Sequence, residues 1–124
     1  MSKHGKIKLG LIGFGTIAQK HYSALSELEN DISIEAIVDS NPEIEAYCKD
    51  VSIDYFKDVD DLLVNKALDL GSICTPTGSH AKITEKLSSK GIHVLTEKPL
   101  ATSYEDGLSM VECCKKKGVK LFTV

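Results

Sequence analysis

The stretch Lys8-Leu-Gly-Leu-Ile-Gly-Phe-Gly-Thr-Ile-Ala18 decides how this chain folds. An apolar run enters Gly13-x-Gly15-x-x-Ala18 and continues at helical spacing, the strand–turn–helix context in which such glycines hold a dinucleotide. Gly13 permits the tight turn, Gly15 lets a pyrophosphate approach the backbone, and Ala18 keeps the helix close to the strand. Free N–H groups at the helix start then face the phosphates. The competing reading is an ordinary glycine turn, and the rest of the chain decides between the two.

Downstream, a helix is predicted over residues 16–28, with Ile17, His21, Leu25 and Leu28 recurring on one face. The β-branched strand Ser33 to Val38 ends in Asp39, 21 residues after Ala18, where an acid accepts the hydroxyls of an adenosine ribose. Asp39 could alternatively cap the turn before Pro42. Asn41-Pro42-Glu43 supplies an N-cap, a first-turn proline and an acid for a helix to about Lys49. A short strand over 51–56 and a helix start at Asp58 follow.

The alternation continues with strand 68–75, helix 79–90, strand 92–96, helix 103–117 and strand 119–124. Gly91 and Gly118 stop the two helices by accepting the left-handed conformation, and Ser103 with Asp106 resembles a capping pair. Strands and helices in strict alternation specify a parallel sheet covered on both faces. Right-handed crossovers make it doubly wound, with strand order 3-2-1-4-5-6 in a single domain over 1–124.

The composition fits one soluble domain: 124 residues, 42% hydrophobic and 27% charged. A net charge of −3 gives no reason to expect nucleic acid or an anionic membrane as partner. Lys115-Lys116-Lys117 reads as a solvated helix end. The opening residues lack the apolar core of a signal peptide, which places the chain in the cytoplasm. Cys48, Cys74, Cys113 and Cys114 have no zinc-type spacing, so no metal site is expected and the thiols are reduced, with Cys74 in the core. All 15 basic residues are lysines. An NADP site usually answers the 2′-phosphate with arginine and an Asp would repel it, so NAD is favoured over NADP.

Two further segments carry chemistry: Ser72-Ile-Cys-Thr-Pro-Thr-Gly-Ser-His80 and His93-Val-Leu-Thr-Glu-Lys-Pro-Leu-Ala101. Both fall at carboxyl ends of predicted strands, where open α/β sheets bind ligands. Thr75, Pro76, Thr77, Glu97 and Lys98 therefore face the crevice of the glycine loop.

Gly-Phe-Gly-Thr-Ile-Ala, Cys-Thr-Pro-Thr-Gly-Ser-His and Thr-Glu-Lys-Pro-Leu-Ala, in this order and at these separations, resemble the nucleotide-binding domain of the Gfo/Idh/MocA oxidoreductases over residues 6–124. The resemblance implies hydride transfer between NAD or NADP and a hydroxyl carbon of a sugar, cyclitol or sugar nucleotide. It implies cofactor contacts from Gly13, Gly15, Thr16, Ile17, Asp39, Thr75, Pro76, Thr77 and Glu97, and a catalytic role for a partly buried Lys98. The segment Gly118-Val-Lys-Leu-Phe-Thr-Val resembles members acting on nucleotide-linked sugars. Thr77 stands where asparagine is common, and Gly71 stands where a β-branched residue is usual, implying a weaker strand or a closely approaching neighbour.

His21 and His80 fit either a structural or a cofactor-side role, while His4 and His93 read as structural or exposed. The family continues into a substrate domain that also mediates homo-oligomer assembly, so an excised domain or truncated product is expected, binding cofactor without turnover. A non-catalytic NAD-binding sensor or assembly module is the alternative.

Overall fold

A computed structural model describes residues 5–124, so His4 lies outside the described residues. Its strands are β1 (Ile7–Ile12), β2 (Ile32–Val38), β3 (Asp54–Phe56), β4 (Leu70–Ile73), β5 (His93–Thr96) and β6 (Leu121–Thr123). Between them lie helices α1 (Thr16–Ser26), α2 (Glu43–Asp50), α3 (Val59–Asn65), α4 (His80–Ser89) and α5 (Tyr104–Lys117), with a 3-10 turn at Thr77–Ser79. The strands form one sheet in the order β3-β2-β1-β4-β5-β6, and every pairing is parallel. The doubly wound order read from the sequence is the observed one.

The central strands are buried on both faces, which is why their sequences run almost continuously apolar. Alternation sends Leu9, Leu11 and Ile37 into one core with Ala18 and Cys48, under α1 and α2. Ile12, Ala36, Val38 and Ile73 point the other way, into a core with Leu62, Leu87 and Cys114 of α3, α4 and α5. Gly10 and Gly71 pair across β1 and β4. A Cβ on Gly71 would lie 2.6 Å from Leu87 Cδ1, and one on Gly10 would lie 2.8 Å from Leu68 Cδ1. The glycine in β4 is thus a socket for a leucine of α4, the close-neighbour alternative of the sequence reading.

Helix ends follow local chemistry. Gly91 and Gly118 adopt φ of 73° and 70°, and the Ser103 hydroxyl accepts the Asp106 N–H at 3.1 Å. Four expectations shift. The helix predicted to residue 28 ends at Ser26. Ile17 and Leu28 of its expected apolar face are 39% and 48% exposed, and the stripe that packs inward is Ala18 with Tyr22 and Leu25. The strand predicted over 51–56 begins only at Asp54, because Ser52 takes a left-handed turn with φ of 58°. The strand predicted from residue 68 begins at Leu70. His93 is structural, its Nδ1 accepting the Lys120 N–H at 2.9 Å.

Candidate cofactor-binding site

The site is built where β1 and β4 diverge at their carboxyl ends. Cys74 N–H donates to Ile12 O at 2.8 Å and Gly13 N–H to Val38 O at 2.7 Å, so the glycine turn is fastened to the strands on both sides. Gly13 has φ of +87°, and a Cβ there would lie 3.0 Å from Thr75 Cγ2 and 3.1 Å from the Cys74 backbone. Only glycine satisfies both the angle and the approach. Gly15 differs: its φ is −82°, and a Cβ would meet nothing within 4 Å. It leaves open space over the start of α1.

The helix starts fall into two groups. Before α2, Asn41 Oδ1 accepts the Glu43 N–H at 3.0 Å; Asp58 caps α3 and Ser103 caps α5, and all three helices carry acids in their first turn. Helices α1 and α4, whose starts border the crevice, have neither a side-chain cap bond nor a first-turn acid. The first N–H groups of α1 keep the partial positive charge that suits a phosphate, while before α4 the 3-10 turn takes the Ser79 N–H onto Pro76 O and the His80 N–H onto Thr77 O. Open space at Gly15 beside the uncapped start of α1 fits a pyrophosphate.

Asp39 closes the β2 side. Its Oδ2 accepts the Phe14 N–H at 2.7 Å, inside the glycine loop, and its Oδ1 accepts the Asn41 N–H at 2.8 Å. Tyr55 donates its hydroxyl to the Asp39 carbonyl at 2.7 Å. The turn-capping alternative is therefore realised, together with a brace across the loop. Each carboxylate oxygen accepts more than one hydrogen bond, so capacity for a ribose remains.

A groove of about 720 Å³ runs along this edge, lined by Gly13, Gly15, Asp39, Thr75 and Pro76 of the expected residues. Lys57, Lys82 and Lys86 also line it, and Lys86 joins Asp60 at 3.0 Å across α3 and α4. Thr16, Ile17, Thr77, Glu97 and Lys98 lie outside that groove. Thr16 and Ile17 occupy the exposed first turn of α1, and Thr77 opens the 3-10 turn.

Glu97 and Lys98 follow β5 on the far side of β4, with Glu97 N–H donating to Ile73 O at 3.0 Å. Glu97 Oε2 lies 2.8 Å from His21 Nε2, with both side chains largely buried, and Ser72 Oγ lies 3.5 Å from His21 Nδ1. Lys98 is exposed rather than partly buried. His80 is 1% exposed, with Nδ1 3.0 Å from Leu100 O and Nε2 3.0 Å from Thr75 O. It ties the loop after β4 to the loop after β5, a structural role. Cys74 lies past the end of β4, half-buried rather than in the core; burial pushes its thiol up to about 11, with the Glu97 charge adding in the same direction.

Sequence reading missed the Asp39 brace on Phe14 N–H and the Ser72–His21–Glu97 chain. A signal for the second existed: His21 follows Ala18 by three residues and so shares the helix face that meets the sheet. Among the described residues no helix is long and apolar enough to cross a membrane, and no cluster of three or more His, Cys, Asp or Glu is arranged to hold a metal.

A parallel 3-2-1-4-5-6 sheet with a glycine turn and the bare start of α1 at its switch point defines a nucleotide-binding domain. Residues 7–124 match the GFO_IDH_MocA family, described as "Oxidoreductase family, NAD-binding Rossmann fold". The chain belongs to this family, as its NAD-binding domain. Among solved structures it resembles the WlbA dehydrogenase from Chromobacterium violaceum in complex with NADH and UDP-GlcNAcA, at 32% identity and TM-score 0.93, covering 100% of this chain and 36% of that one. The WlbA dehydrogenase from Bordetella pertussis, also with NADH and UDP-GlcNAcA, is 35% identical with TM-score 0.92, covering 96% and 35%. Glucose-6-phosphate 3-dehydrogenase from Bacillus subtilis is 31% identical over 91% of this chain and 32% of its own length. The chain thus spans about a third of the length of these relatives.

Proposed function

We propose that residues 1–124 form the cofactor-binding domain of a dehydrogenase acting at a hydroxyl carbon of a sugar, cyclitol or sugar nucleotide, and that Lys98 is its catalytic residue. The observation that carries this reading is Lys98 itself: exposed, without a partner among the described residues, and adjacent to the anchored Glu97 at the carboxyl edge of the sheet. Pure nucleotide binding has no use for an unpaired lysine held there. A sugar nucleotide is the first substrate class to test, because two relatives above 30% identity are solved with UDP-GlcNAcA.

In this reading Gly13, Gly15, Thr16 and Ile17 hold the pyrophosphate on the start of α1. Asp39 takes the adenosine ribose, and its charge with the absence of arginine favours NAD over NADP. Thr75, Pro76 and Thr77 line the path toward the nicotinamide end, and Glu97 takes the second ribose. Bound NAD supplies the hydride acceptor. Lys98 Nζ, as the neutral amine, takes the proton of the substrate hydroxyl as the carbon is oxidised, and as the ammonium returns it in the reverse direction. Four free cysteines suit a reducing compartment, consistent with the cytoplasm; homo-oligomer assembly would belong to the longer protein.

The test is Lys98→Met in a longer protein carrying this domain. Turnover is expected to fall at least about 10²-fold with NADH affinity retained. Near-normal turnover would remove Lys98 from the chemistry, whereas absence of turnover in the unsubstituted longer protein, with NADH still bound, would favour a binding module. Residues 1–124 alone are expected to bind NADH weakly and to show no turnover.

A further inference from the structure

The Ser72–His21–Glu97 chain is a side-chain cluster outside the groove, and the glycine loop does not require it. Its members come from three elements: Ser72 from β4, His21 from α1, and Glu97 from the end of β5. Ser72 is 1% exposed, and the side chains of His21 and Glu97 are 16% and 14% exposed. The hydrogen-bond directions are fixed by what each atom can do. A carboxylate only accepts, so His21 Nε2 carries the proton toward Glu97 Oε2 at 2.8 Å. A neutral ring then presents Nδ1 as an acceptor, and the Ser72 hydroxyl, 3.5 Å away, is the group able to donate to it. Cys74 Sγ, 3.9 Å from Ser72 Oγ, completes the chain.

We infer that His21 is a positioning residue: it holds one oxygen of Glu97 so that the other is presented to the cofactor's nicotinamide-side ribose. Glu97 Oε1 has no protein partner among the described residues and does not count among the buried unsatisfied atoms, so it is open to a ligand. Without His21 the carboxylate would turn freely about its last bond, and the ribose would lose a pre-oriented acceptor. Glu97 sets the tautomer by taking the Nε2 proton, and the Ser72 hydroxyl, at the longer distance of 3.5 Å, faces the Nδ1 that this leaves. The inference rests on the proposed contact between Glu97 and that ribose.

Three ligands separate the possibilities, because ADP lacks the second ribose while ADP-ribose and NADH carry it. In the unsubstituted chain, ADP-ribose should bind more tightly than ADP. His21→Ala should weaken NADH and ADP-ribose by about fivefold and leave ADP within about twofold, the scale of one ordinary hydrogen bond. His21→Gln, whose amide nitrogen reaches as Nε2 does, should recover most of the loss. With Glu97→Gln already present, His21→Ala should add nothing further.

Equal weakening of all three ligands would make His21 merely structural, and no weakening would leave it idle; either result overturns the inference. ADP binding with no gain from the second ribose would instead refute the Glu97 contact, and this inference with it. Should His21→Ala fail to fold, Glu97→Gln and Ser72→Ala read the same chain from its two ends, and absence of ribose-selective loss in both overturns it.

Discussion

The two walls of the crevice are built on different terms. On the β2 side, the Asp39 carboxylate accepts the Phe14 N–H, the Gly13 N–H donates to Val38 O, and Gly13 holds a positive φ, so the wall exists before any ligand arrives. On the β5 side Glu97 is anchored through His21 and the backbone at Leu100 through His80, while the Lys98 side chain has no partner among the described residues. In the proposed reading the difference separates shape from chemistry: a phosphate and ribose cradle gains from rigidity, whereas a lysine proposed to exchange protons must keep its nitrogen available.

The sharpest way to break the comparison is Gly13→Ala, which forces a side chain into a left-handed residue 3.0 to 3.1 Å from Thr75 and the Cys74 backbone. A loss of about 3 kcal/mol is expected in denaturant melts, together with NADH binding. A change under about 1 kcal/mol would show that the loop relaxes. Asp39→Ala comes next. It leaves the Phe14 and Asn41 N–H groups without their acceptor, and about 2 kcal/mol should be lost. Gly15→Ala separates binding from folding, since its new methyl meets no protein atom within 4 Å. NADH affinity should drop about tenfold while stability changes by less than about 1 kcal/mol.

Smaller still is an alkaline effect. Burial raises the thiols of Cys74 and Cys114 to about 11 from an ordinary value of 9. The unfolded chain therefore loses these protons first, and their contribution is complete below pH 9 and lost as the pH rises to about 11. The half-buried Cys74 thiol should account for on the order of 1 kcal/mol, allowing for its partial exposure. Urea melts of Cys74→Ala should show a shallower decline over that window, and an unchanged decline would contradict the burial assignment.

Fold and site were legible in the sequence to different depths. The sheet order follows from alternation and crossover handedness, which are global rules that single residues do not upset. Gly91, Gly118 and Ser103 mark helix ends because each carries its own conformational reason. Boundaries at Ser26 and Asp54 were not legible, since packing and one left-handed serine set them. Ile17 and Leu28 share helical spacing with Leu25, yet spacing does not say which side the sheet lies on. The glycine loop, Thr75 and Pro76 were readable as one groove. The Asp39 brace was not, because its partner is a backbone N–H that any residue at position 14 would offer.

Leu87 in the socket over Gly71 acts as a locating pin. It fixes how far α4 slides along β4, and the same helix carries His80 seven residues earlier, about 10 Å toward the crevice. The height at which Ser79, Lys82 and Ile83 stand along the groove is therefore set one to two turns away, in the dry interior. A size exchange between positions 71 and 87 would move the floor of the groove without touching any residue that lines it.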